Sequence, residues 1–169
     1  MARSFESLSP REVLALAVHV ERANARRFRA FAHVFHGFDE AVVARFEELA
    51  REEDEHEALL VNQFRSRFGS TIDQIEEVSV EGVIESVDLD DPEVLIFDNL
   101  VPDHVYRLAL RAERGAQEFY RRASHTAADP GLKALYDELS QMEEAHAGWL
   151  EQRLATALLL STKTAHTAS

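Results

Sequence analysis

Apolar residues recur three and four positions apart through most of the chain, and four long runs of this period predict four helices. The first opens at Ser9-Pro10-Arg11-Glu12, with Ser9 as N-cap, Pro10 as first helical residue and Glu12 as capping-box partner. Its inward stripe is Val13, Leu16, Ala17, Val20, Asn24, Arg27/Phe28, Phe31 and Phe35, and Gly37 stops it after about His36. Asp39 caps the second helix, which continues to Phe68 before Gly69 and steps through Phe46, Leu49, Glu53, His56, Leu60 and Phe64. The third is expected from about Pro102 to Thr126, with Val105, Leu108/Ala109, Ala112/Glu113, Ala116, Tyr120 and Ala123 facing in. Asp129 then caps a fourth, with Pro130 at its first position and Leu132, Leu135, Leu139, Glu143, His146, Leu150 and Leu154 on one face.

The pattern weakens in two places. Between 70 and 101, Ile72, Ile75, Val78, Val80, Val83, Ile84 and Val87 fit short helical turns or an extended crossover equally well, and Asp91-Pro92 and Pro102 interrupt any single long helix. After Leu160 no apolar period remains. Residues 1–157 are therefore expected to form one all-α domain, and 158–169 a disordered tail.

Charged residues interrupt the inward stripes at corresponding points. Glu53-Asp54-Glu55-His56 and Glu143-Glu144-Ala145-His146 are both Glu-x-x-His steps, which aim a carboxylate and an imidazole along one helix face. Glu21 and Glu113 precede them on the neighbouring helices. Glu113 follows Glu21 by 92 residues, whereas Glu143, His146 and Leu150 follow Glu53, His56 and Leu60 by 90, so a helix pair is repeated once. One Glu-x-x-His step reads as ordinary helix surface. Six such residues on inward stripes do not, because four carboxylates packed together in a core need compensating charge. Two divalent cations supply four positive charges. Oxygen and imidazole ligands suit iron, manganese or zinc. Glu52, Asp54, Glu55 and Glu57 are expected on a solvated acidic face, and Trp149 in packing.

The inventory Glu, Glu-x-x-His, Glu, Glu-x-x-His over roughly residues 8 to 155 resembles the ferritin-like di-iron superfamily, and within it the rubrerythrins and bacterioferritins. The resemblance implies a four-helix bundle with helices two and three parallel and a long crossover between them. It implies two iron ions, bridged by Glu53 and Glu143, with Glu21 and His56 terminal on one and Glu113 and His146 on the other. Tyr120 lies two turns beyond Glu113, where relatives place a tyrosine whose hydroxyl touches a metal-bound carboxylate. Its counterpart in the first half is Phe28. Peroxide-reducing rubrerythrins carry a further glutamate three residues after the helix-three ligand, and here that position is Ala116. The symmetric set of four Glu and two His thus resembles a ferroxidase centre, using Fe(II) with oxygen or hydrogen peroxide. A rubrerythrin-type peroxidase, a di-iron oxygenase acting on an organic substrate and a non-catalytic metal-binding bundle are the alternatives.

Composition narrows the setting. The chain has 169 residues and no cysteine, which excludes disulfides, thiolate-bound zinc and the rubredoxin-type module of many rubrerythrins. A formal charge of −13 argues against nucleic acid. No stretch is apolar enough for a membrane span and no signal core opens the chain, so a cytoplasmic location is expected. Residues 161–169 are unsuited to closing a large cage, so a homodimer or small homo-oligomer is expected.

Overall fold

The structure, a computed structural model, describes residues 4–69 and 102–167, with side chains to residue 156. A short 3-10 turn, Phe5–Ser7, leads into four helices: α1 Pro10–Phe35, α2 Glu40–Phe68, α3 Pro102–Thr126 and α4 Pro130–Thr167. The expected crossover over 70–101, with its apolar positions, lies outside the described residues.

The helix ends follow from their local chemistry. The Ser9 hydroxyl accepts from the Glu12 N–H, and the Glu12 carboxylate accepts from the Ser9 N–H at 2.7 Å, closing the capping box. Asp39 accepts from Val42 N–H, and Asp129 Oδ1 accepts from Leu132 N–H at 2.8 Å. Gly69 ends α2 in the left-handed conformation, φ 63°, which costs a glycine little and any other residue more. At the carboxyl end the backbone departs from expectation. α4 stays helical to Thr167, through most of the stretch expected to be a disordered tail. No Gly or Pro interrupts it there, so loss of apolar period alone does not stop the helix.

α1 pairs with α2, α3 pairs with α4, and α1 also meets α3. Arg22 bonds Glu57 at 2.7 Å and Arg29 bonds Asp54, so numbering rises along α1 as it falls along α2. The second hairpin has the same sense: Arg114 bonds Glu151 at 2.6 Å, and Ser124 donates to Asp137. Asp54 and Glu55 are exposed, as expected of a solvated acidic face, whereas Glu57, half-buried against Arg22, ties α2 to α1.

Buried apolar side chains fall into two clusters. One gathers Phe5, Leu14, Leu60, Phe64, Phe119, Tyr136 and Leu139. The other gathers Phe28, Phe31, Phe35, Phe46, Leu49, Tyr106 and Leu150, with Trp149 against it. Phe46 touches Phe28, Phe31, Phe35, Tyr106 and Trp149 at ring separations of 5.8–6.2 Å, so it is the hub of the second cluster. Tyr106, near the start of α3, packs beside Phe35 at the end of α1, while Arg67 at the far end of α2 reaches Asp129 before α4. α2 therefore ends at the opposite end of the bundle from the start of α3, and the two run parallel. Between the clusters lies a layer of buried polar side chains: Glu21, Asn24, Glu53, His56, Glu113, Glu143 and His146.

Candidate metal centre

Each helix contributes to this layer where its apolar stripe is interrupted. On α1, Glu21 and Asn24 lie between Val20 and Phe28. On α2, Glu53 and His56 lie between Ala50 and Leu60. On α3, Glu113 lies between Ala109 and Ala116, and on α4, Glu143 and His146 lie between Leu139 and Leu150. Helical spacing alone aims them at one another. All six residues expected as ligands come together, and one chain supplies all of them.

They form two overlapping groups whose ligand atoms lie within 4.8 Å of one another: Glu21, Glu53, His56 and Glu143, then Glu53, Glu113, Glu143 and His146. Glu53 and Glu143 belong to both. His56 Nδ1 stands 3.3 Å from Glu21 Oε2 and 3.7 Å from Glu143 Oε1. His146 Nδ1 stands 3.3 Å from Glu53 Oε1 and 3.6 Å from Glu113 Oε1. These are ion-pair separations, yet none closes a hydrogen bond. Both oxygens of Glu53, Glu113 and Glu143, Glu21 Oε2 and both Nδ1 atoms are buried without a hydrogen-bond partner among the described residues. Folded chains rarely leave so many polar atoms unpaired in one place, because each loses its hydration with no return. Oxygen and imidazole nitrogen in groups of four are the donor set of iron, manganese or zinc, so the residues fit such ions.

Electrostatics point the same way. Burial, then repulsion from Glu143, pushes the Glu53 carboxyl well above its usual range. Burial, then repulsion from Glu113, does the same to Glu143. Burial also raises Glu113. Glu21 is the exception: burial pushes it up, but the polar neighbours Glu53, His56 and Tyr120 together pull it below the ordinary value. Burial disfavours the charged form of each imidazole, but the surrounding carboxylates prevail and raise both His56 and His146. Without cations, the layer holds protons that a metal would displace.

Tyr120 is fully buried and its hydroxyl donates to Glu21 Oε1, a carboxylate of α1 rather than of its own helix. Burial, then the negative charge of Glu21, pushes its phenol well up, so it stays a proton donor. Phe28, its counterpart, lies in the apolar cluster.

Two neighbours were not legible as part of the site. Glu52, expected on the solvated face, is half-buried and places Oε2 2.8 Å from His146 Nε2. That is ion-pair distance from the imidazole nitrogen that faces away from the other carboxylates, although no hydrogen bond closes between the two. Arg45 steadies Glu52 through Oε1 at 3.3 Å. Asn24 is buried one turn after Glu21. Its Oδ1 accepts from Arg27 at 2.7 Å, while its Nδ2 has no hydrogen-bond partner among the described residues. Glu52 sits among five acidic residues in sequence and has no acidic counterpart in the second half, so neither pattern nor repeat marks it out.

Among the described residues no helix is long and apolar enough to cross a membrane. No curated protein matches the chain. Two solved structures share the fold: a hypothetical protein from Pyrococcus furiosus and an uncharacterized conserved protein from Magnetospirillum magnetotacticum MS-1. The first is 24% identical with a TM-score of 0.71, covering 92% of this chain and 94% of its own. The second is 20% identical with a TM-score of 0.69, covering 88% and 95%. The rubrerythrin family model matches residues 12–154, which takes in all four helices and every residue of the polar layer. Fold, ligand inventory and family model agree, and the chain belongs to the rubrerythrin family.

Proposed function

We propose that this is a di-iron protein that oxidises Fe(II) with oxygen or hydrogen peroxide. The observation that carries the reading is the pair of overlapping ligand groups, whose buried oxygens and Nδ1 atoms, Glu21 Oε1 apart, have no hydrogen-bond partner among the described residues. Glu53 and Glu143 belong to both groups and would be held in common by two ions, with Glu21 and His56 completing one position and Glu113 and His146 the other. Iron bound there supplies two electrons side by side, enough to take oxygen to hydrogen peroxide or hydrogen peroxide to water.

The chain's own residues set the conditions. The four carboxylates are fully buried, so bulk water is excluded and their attraction for cations is strong. The two imidazoles are the only members of the six with any exposure, and they mark the side from which Fe(II) reaches the centre. Tyr120 holds Glu21 in place through its hydroxyl. Ala116 packs in the apolar cluster and offers no additional ligand, which favours Fe(II) oxidation over a peroxidase whose iron exchanges a histidine for a glutamate. Manganese or zinc would fit the same donors without that chemistry. Assembly as a homodimer or small homo-oligomer belongs to the same proposal, and light scattering reads it directly.

Metal-free protein mixed with Fe(II) in air, followed by stopped-flow absorbance, should give ferric product quickly. Glu21→Ala and Glu113→Ala should abolish the fast phase. Absence of a fast phase in the wild type, with brisk peroxide turnover once a reductant is added, would replace this reading with the peroxidase one.

A further inference from the structure

The six ligands repeat between the two halves, but their supports do not. Through the offsets of 92 and 90, Tyr120 corresponds to Phe28, Glu52 to Met142, Arg45 to Leu135 and Trp149 to Leu59. On one side Glu52 meets His146 Nε2 and is held by Arg45, whose guanidinium lies 5.6 Å from the centre of the Trp149 ring. On the other side the same places hold Met142, Leu135 and Leu59, none of which carries a charge or a hydrogen-bonding group of that kind. Met142 and Leu59 are also two of the exposed large apolar residues, at 37% and 41%. Among the described residues no carboxylate faces His56 Nε2. The terminal carboxylates differ as well. Glu21 accepts a hydrogen bond from the Tyr120 hydroxyl, whereas neither oxygen of Glu113 has a hydrogen-bond partner among the described residues.

Both differences act in one direction. An imidazole whose outer nitrogen meets a carboxylate is a better donor, held in a fixed orientation. A carboxylate that accepts a hydrogen bond from a phenol is a poorer donor than one with no such bond. We propose that the two metal positions are unequal: the Glu113–His146 position fills first and holds harder, and the Glu21–His56 position is the exchangeable one. Glu52 is then a positioning residue for the first, and Tyr120 a restraint on the second. The inference rests on the metal centre proposed above and adds an order to it.

Co(II) is a suitable probe, because calorimetry counts its binding and its visible bands report its ligands. Titrated into metal-free protein, it should bind in two steps separated by roughly tenfold or more in affinity. Glu52→Gln keeps the side chain's shape and should weaken the first step roughly ten- to a hundredfold, changing the bands of that step only. Tyr120→Phe should tighten the second step and leave the first alone. Met142→Glu should narrow the gap. Two equal steps in the wild type, or a Glu52→Gln effect shared equally by both, would overturn the proposal while leaving the metal centre standing. No Co(II) binding at all would overturn the centre itself. Should Glu52→Gln fail to fold, the wild-type titration and Tyr120→Phe decide between the same outcomes.

Discussion

The imidazoles of His56 and His146 lie within 14° of parallel, their centres 6.2 Å apart, and each turns Nδ1 toward the shared carboxylates. Two residues separated by most of the chain meet as near-copies because each hairpin supplies a Glu and a Glu-x-x-His. Glu53 and Glu143, which belong to both ligand groups, stand apart from the other four residues, and under the proposed function they are the bridges.

Removing a bridge should therefore cost more than removing an end. Glu53→Ala or Glu143→Ala should leave metal content near zero, whereas Glu21→Ala or Glu113→Ala should leave about one ion per chain. Glu144→Ala, at an exposed position beside the bridge, should change nothing. Elemental analysis of the purified variants reads all five, and equal losses from Glu53→Ala and Glu144→Ala would sink the assignment.

The metal-free protein should lose stability as pH rises. Glu53, Glu113, Glu143, His56 and His146 all have folded values above their ordinary ones. Such groups favour the fold while they stay protonated, and that contribution is lost as pH climbs through the raised values. Glu21 acts oppositely, with a contribution present above the ordinary carboxylate value of 4.5 and lost below it, but it is one group against five. Metal displaces the protons, so in the loaded protein the slope should reverse. Melting temperatures at mildly acidic and mildly alkaline pH, with and without metal, test this. Glu53→Gln should flatten the metal-free slope.

Phe46→Ala should destabilise the bundle by about 3–5 kcal/mol, because it empties the hub of the second apolar cluster. Phe38, 76% exposed in the turn between α1 and α2, makes a fair control, and Phe38→Ala should move stability by no more than about 0.5 kcal/mol. Urea unfolding separates the two, and similar midpoints would show that the cluster does not hold the bundle.

Ala116→Glu should raise turnover with hydrogen peroxide when a reductant is supplied, by placing a carboxylate three residues beyond Glu113. It should also lower stability, since Ala116 is fully packed among apolar neighbours. A variant that folds and gains no peroxide turnover would detach that activity from this position.

Much of the molecule was legible in the sequence for a single reason: helical period is strong wherever a face is buried. Ser9, Asp39, Gly69 and Asp129 mark helix ends through backbone chemistry that acts locally. The six inward polar residues stood out because charge on an apolar stripe is anomalous and because the anomaly occurs twice. Glu52 and Glu57 were misread because a helix shows its own faces but not its neighbours. Glu52 looks solvated until α4 brings His146 beside it, and Glu57 until α1 brings Arg22, while Asp54 stays exposed as expected. The helical backbone beyond Leu160 was missed because an absent apolar pattern says nothing about the next backbone hydrogen bond.

The polar layer divides the apolar interior into two blocks, so the metal-free bundle has a weak waist rather than weak ends. Amide exchange in that state should run faster near Glu53 and Glu143 than around Phe46 or Phe64, contrary to the usual fraying of a bundle from its tips. The waist is also the candidate metal centre. Under the proposed function, local breathing there would open the centre to incoming metal while both blocks stay folded, and the arriving charge would shut the door behind it.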